Sequence, residues 1–127
     1  MSMPEQFEWV TTRASCTLFK VFELLSEEIR GDVEIINARV KHRFSLEKVN
    51  NVIKVFRDTD SNRVVSFGVR EGRLYAEDSG DKSRKIEATL ALNNNGQCRL
   101  MVNGLECERW GFRMAALEHL FFDEWFV

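Results

Sequence analysis

The sequence predicts an α+β domain, and three observations predict it. Apolar residues recur at helical spacing near the N-terminus, a long middle stretch alternates with period two between turn dipeptides, and the last segment returns to an apolar helical pattern. The expected order is an N-terminal helix, a meander of six or seven antiparallel strands forming a curved sheet, and a C-terminal helix packed against it. Residues 1–127 read as one such domain, since no repeat, low-complexity tract or composition break divides them.

The first element is an extended arm or short strand at Phe7, Trp9 and Val10. A helix follows from Thr12 or Ser15, either of which can cap it. Leu18, Val21, Phe22, Leu25 and Ile29 form its apolar stripe, with Gly31 as its stop. After Gly31 the period changes to two. Val33 and Ile35 alternate, a bulge near Ile36 shifts the phase, and Ala38, Val40, His42 and Phe44 then share one face while Arg39, Lys41 and Arg43 share the other.

Six further β-prone runs follow: Val52 to Asp58, Arg63 to Arg70, Arg73 to Asp78, Arg84 to Leu92, Cys98 to Val102 and Leu105 to Trp110. A two-residue turn at Glu71-Gly72 sets Val69 opposite Leu74, Phe67 opposite Ala76 and Tyr75 over Gly68, and brings Arg70 against Arg73. Asn103-Gly104 is the strongest turn signal, and it pairs Val102 with Leu105, Leu100 with Cys107 and Arg99 with Glu108. Between Leu92 and Cys98 only an odd loop keeps the apolar faces together, so three or five residues are expected there.

The closing helix is expected from about Phe112 to Glu124, and it is apolar nearly all round. Leu117, Phe121 and Trp125 make one stripe, while Phe122 and Phe126 point elsewhere and call for a second covering surface.

Composition excludes several classes. With 44% hydrophobic residues, 30% charged and a net charge of -2, the chain is not intrinsically disordered. No apolar run approaches the roughly 18 residues of a membrane span, and Glu5 and Glu8 interrupt any signal-like stretch. Cys16, Cys98 and Cys107 are odd in number and widely spaced, which suggests separate buried thiols and a cytoplasmic location. Charge is uneven. Between Arg39 and Lys85 twelve basic residues face seven acidic ones, whereas the flanks carry six against thirteen.

The motifs of chemistry are missing or broken. Asp58-Thr59-Asp60-Ser61-Asn62 opens like a calcium loop, but Arg63 stands at the required glycine and Val69 at the closing glutamate. His42 and His119 have no second metal ligand at a recognisable spacing, and no phosphate-binding glycine loop or nucleophile motif occurs. The paired carboxylates Glu106 with Glu108 and Glu77 with Asp78 read as solvated faces. No metal, cofactor or catalytic residue is expected.

Three functions are consistent with these features. The first is a non-enzymatic, homodimeric binding protein holding a small apolar molecule in a cleft between sheet and C-terminal helix. Phe112, Phe121, Phe122, Trp125 and Phe126 would line that cleft or the dimer surface. The second is a protein-interaction module, such as a dedicated chaperone or toxin-neutralising partner. The third is an anion or nucleic-acid binder using Arg39, Lys41, Arg43, Arg70 and Arg73. Nucleic acid is disfavoured because exposed aromatics do not accompany these cations. At fold level only, the order resembles helix-and-curved-sheet folds that hold ligands, and pleckstrin-type barrels closed by a C-terminal helix.

Overall fold

The computed structural model describes residues 9–41, 43–58 and 60–122. Phe7, His42, Thr59, Trp125 and Phe126 lie outside them. Helices α1 (Trp9–Ser15) and α2 (Leu18–Arg39) come first. Strands β1 (Phe44–Val49), β2 (Val52–Arg57), β3 (Asp60–Arg70), β4 (Arg73–Asp78), β5 (Asp81–Leu92), β6 (Cys98–Val102) and β7 (Leu105–Cys107) follow, and helix α3 (Arg109–Phe122) ends the series.

The N-terminal half corrects the sequence reading in two places. Trp9 and Val10 lie in α1, not in a strand. Helix α2 runs through Gly31 to Arg39, so Val33 to Arg39 are not a strand and Ile36 marks no bulge. The reason is spacing: Ile29, Val33 and Ile36 continue the buried stripe of Val21, Phe22 and Leu25. Burying Val33 and Ile36 is worth about 1.5–3 kcal/mol each, against about 1 kcal/mol for a glycine inside a helix.

Thr17 caps α2 by accepting from the Lys20 N–H at 3.2 Å. At the other end, the Asn37 side chain makes two bonds to Phe44. Its Nδ2 donates to the Phe44 carbonyl at 2.9 Å, and its Oδ1 accepts from the Phe44 N–H at 2.8 Å. The passage from helix to first strand is therefore fixed by one amide.

All seven strands join in one open antiparallel sheet in sequence order, so the chain forms the α+β meander with a helix at each end. It is not a barrel, because β1 and β7 are edges. The registers at both glycine turns agree with the sequence arithmetic. Val69 faces Leu74, Phe67 faces Ala76, Gly68 faces Tyr75 and Arg70 faces Arg73. Leu100 faces Cys107 and Val102 faces Leu105. Glu71, Gly72, Asn103 and Gly104 all take positive φ, from 53° to 81°, as paired turns of this hand require. Leu92 pairs with Cys98, which leaves the five-residue loop that parity allowed.

Strand β5 is used lengthwise. Residues from Asp81 to Ala88 pair with β4, and Thr89 to Leu92 pair with β6.

Both helices pack on one face of the sheet. There Ile53, Val55, Val65, Phe67, Leu74, Ala76, Ala88 and Leu100 meet Phe22, Leu25, Ile29 and the inner side of α3. On the opposite face Tyr75 lies over Gly68, and the Arg70 guanidinium sits 4.1 Å from its ring centre.

Helix α3 starts at Arg109, three residues earlier than expected, and Trp110 is helical rather than the end of a strand. Two successive carbonyls of its Leu120 turn are met by cations from the sheet. Arg57 Nη2 donates to Leu120 O at 3.1 Å, and Arg63 Nη2 donates to His119 O at 3.4 Å.

One covalent link was not expected from the sequence. Cys16 and Cys98 form a disulfide with Cα atoms 5.4 Å apart, tying the α1–α2 junction to the start of β6. Cys98 is therefore not a separate thiol, and the reading of a reducing compartment loses the support it drew from cysteine usage. Cys107 is free. No described helix is long and apolar enough to cross a membrane.

Candidate functional site

Helices α2 and α3 lie side by side and run in the same direction, as their ion pairs show. Glu28 takes Arg109 Nε and Arg113 Nη1, each at 3.0 Å, and one turn further Asp32 takes Arg113 Nε at 2.7 Å. Arg113 has only 16% of its side chain exposed, so this cross-link is partly desolvated and stronger than a surface pair.

Two open concavities flank the cross-link, and Trp110 and Arg113 line both. The larger, about 920 Å³, lies between the start of α2 and the β6–β7 hairpin. Its walls mix Phe19 and Leu24 with charged side chains. The smaller, about 410 Å³, is the groove between the later turns of α2 and α3.

This second groove is apolar. Ile36, Leu117 and Phe121 form its buried floor, and Ile35, Trp110 and Met114 stand along its walls with 58%, 60% and 52% of their surface exposed. Arg39 on the α2 side and Glu118 on the α3 side carry the charge at its rim, and both are exposed.

The aromatic residues singled out in the sequence divide between core and surface. Phe112 is 1% exposed and lies 6.4 Å from the Phe67 ring, so it fills the space between α3 and the sheet. Phe121 packs edge-on against Phe44 at 4.9 Å. Phe122, 36% exposed, reaches the groove margin. The space between the sheet and Phe112, Leu117 and Phe121 of the C-terminal helix is thus filled by the protein's own side chains, the apolar groove lies between the two helices, and the more polar concavity lies beside the β6–β7 hairpin.

The five cations of the expected anion patch are not brought together. Arg39 ends α2, and Lys41 and Arg43 precede β1, so the three are not alternate positions of one strand. That segment adjoins the β2–β3 turn, because Phe44 pairs with Arg57 and Arg57 with Asp60. Arg70 and Arg73 flank the β3–β4 turn, at the other end of β3. Each is also neutralised: Arg70 binds Glu77 at 2.9 Å and Arg73 binds Glu87 at 3.2 Å. Hydrogen bonding to Glu77 raises the Arg70 pKa further. The Glu87 carboxyl is lowered, first by the hydrogen bond from Lys85 and then by Arg73.

The carboxylate pairs hold no free base either. Arg99 binds both Glu106 and Glu108, and Asp78 accepts from the Gly80 N–H at 2.8 Å. The Cys107 thiol is pushed up, mainly by burial and then by Glu108, which lowers its thiolate fraction. Among the described residues no group of three His, Cys, Asp or Glu side chains is arranged to hold a metal.

Sequence reasoning missed Ile35 and Trp110 as surface anchors, because both were assigned to strands. The usable signal was helical spacing carried two turns past Gly31, and the i, i+4 pair Trp110 and Met114. No family model, no curated protein and no solved structure matches the chain.

Proposed function

We propose that the chain is a non-enzymatic protein-interaction module that docks a protein partner on its helical layer, in the groove between α2 and α3. One observation carries this reading: Ile35, Trp110 and Met114 stand more than half exposed over an already filled floor. Clustered apolar side chains of this kind mark interaction surfaces on soluble proteins, and a tryptophan beside a charged rim is a typical anchor.

The small apolar guest is less well served. Such ligands are buried over most of their surface, which an open groove above a closed core does not provide. Of the two carboxylates that line the groove, Asp32 is taken up by Arg113 and Glu118 stands exposed on the rim with no histidine or second acid beside it in the lining, which supports a binding role over acid–base chemistry. The partner surface that fits is an apolar ridge with a carboxylate to meet Arg39 and a cation to meet Glu118. A persisting Cys16–Cys98 bond suits an oxidising compartment rather than the cytoplasm.

The test is site-specific photo-crosslinking in the producing cell. A photoreactive amino acid in place of Met114 should yield a discrete protein adduct, and the same group in place of exposed Lys54 on the outer sheet face should not. A folded chain giving no adduct from position 114, or equal adducts from both positions, would overturn the reading.

A further inference from the structure

Resting on that reading, we infer that the occupant of the α2–α3 groove is a second copy of this chain, related by a two-fold axis that runs along the groove. The groove and its rim are self-complementary. A two-fold interface brings the same patch onto itself, so every contact from one residue to another is made twice. An axis along the groove lays α2 of one protomer over α3 of its partner, and α3 over α2. An in-plane axis across the groove would instead set α2 against α2.

The charges select the first arrangement. Arg39 lies on the α2 side of the groove and Glu118 on the α3 side, and neither has an ion-pair partner among the described residues. Rotation about the groove places Arg39 against the partner's Glu118, and Glu118 against the partner's Arg39. Rotation across it sends the cation toward an α2 wall whose neighbouring charge, Asp32, already binds Arg113.

Apolar complementarity follows the same axis. The Trp110 and Met114 wall of one protomer meets the Ile35 wall of the other, so the exposed apolar side chains of the two copies cover one another across the axis. Apolar contact supplies affinity, and the rim charges set orientation. Two copies also leave the outer sheet face, with its paired Arg70, Arg73, Glu77 and Glu87, in water.

Sedimentation velocity over a concentration series tests the inference. Wild-type chain should be dimeric at micromolar concentration, and Met114→Glu monomeric with an unchanged circular dichroism spectrum. Arg39→Glu and Glu118→Arg should each weaken the dimer about tenfold by setting like charges together. The double variant, or an equimolar mixture of the two single variants, should restore it.

A monomeric wild type, or single reversals that leave the dimer unchanged, would overturn the two-fold arrangement. The crosslinking experiment separates the two failures. An adduct from position 114 at twice the chain mass supports this inference, an adduct of another mass leaves the docking face standing with a different occupant and overturns this inference, and no adduct removes both.

Discussion

The Arg57 guanidinium, on a side of β2 that is otherwise apolar, donates to the carbonyl oxygen of Leu120 in the last turn of α3. Arg57 is only 5% exposed, and its charge lies 5.9 Å from the Phe44 ring. A buried cation that donates to a helix carbonyl complements the backbone dipoles there. Here it also ties the Leu120 turn of α3 to the sheet.

Arg57→Met should therefore lower stability by about 2 kcal/mol, the cost of losing a buried hydrogen bond from a charged donor. Urea unfolding measures it, and amide exchange should quicken around Leu120 before the rest of α3. Unchanged exchange at Leu120 would show that the bond does not hold this turn of the helix.

Asn37 offers a sharper chemical test. Asn37→Ala removes both bonds to Phe44 and should cost about 1–2 kcal/mol. Asn37→Asp keeps an acceptor for the Phe44 N–H but sets a carboxylate against the Phe44 carbonyl, which only the protonated acid can bond. The folded-state pKa of that new acid is therefore raised. Its contribution is present at low pH and is lost as pH rises, so the deficit of Asn37→Asp against wild type should shrink on acidification.

Gly68 is required by its neighbour across the strand. A Cβ there would lie 2.6 Å from the Tyr75 hydroxyl oxygen, so Gly68→Val should displace the ring and cost about 1–3 kcal/mol. The cost should fall sharply when Tyr75→Ser is introduced as well, because the two positions share one contact. Additive losses in thermal unfolding would contradict the close approach.

The Cys16–Cys98 link closes a loop with a sequence separation of 82. In the chain-entropy account that is worth about 4–5 kcal/mol. Cys16→Ala with Cys98→Ala should lose most of this, and a dithiol reductant should reproduce the loss in wild type. Cys107→Ser should leave the sensitivity to reductant unchanged.

The raised pKa of Cys107 has a defined sign. The folded state holds the thiol proton more tightly than the unfolded chain does. The associated stability is present below the ordinary thiol range and is lost as pH rises through and above it. Alkylation of Cys107 in the native protein should be slower than that of a free cysteine, and Glu108→Gln should quicken it modestly, since Glu108 is the smaller cause. Equal rates for native and unfolded chains would contradict the shift.

The hairpins were readable because turn chemistry and the period of two act locally. Asn103-Gly104 and Glu71-Gly72 fix register by themselves, so Leu100 with Cys107 and Phe67 with Ala76 followed from counting. The run from Val33 to Arg39 was misread because β-branched side chains and Gly31 favour a strand locally, whereas burial of Val33 and Ile36 against the sheet favours the helix. Pairing of Cys16 with Cys98 depends on where β6 meets the start of α2, which spacing does not encode. The groove was hidden for a related reason: Ile35 and Trp110 become neighbours only once both helices have their true bounds.

The lengthwise use of β5 has a mechanical consequence. No β5 residue is shared between the β4 ladder and the β6 ladder, so within the sheet tension between the β1–β4 ribbon and the β6–β7 ribbon travels along a single backbone. The Cys16–Cys98 bond runs beside that backbone as a second tether, from the root of α2 to the first residue of β6. Pulled apart under force, the oxidised protein would yield as one unit, and the reduced protein would surrender β6 and β7 first.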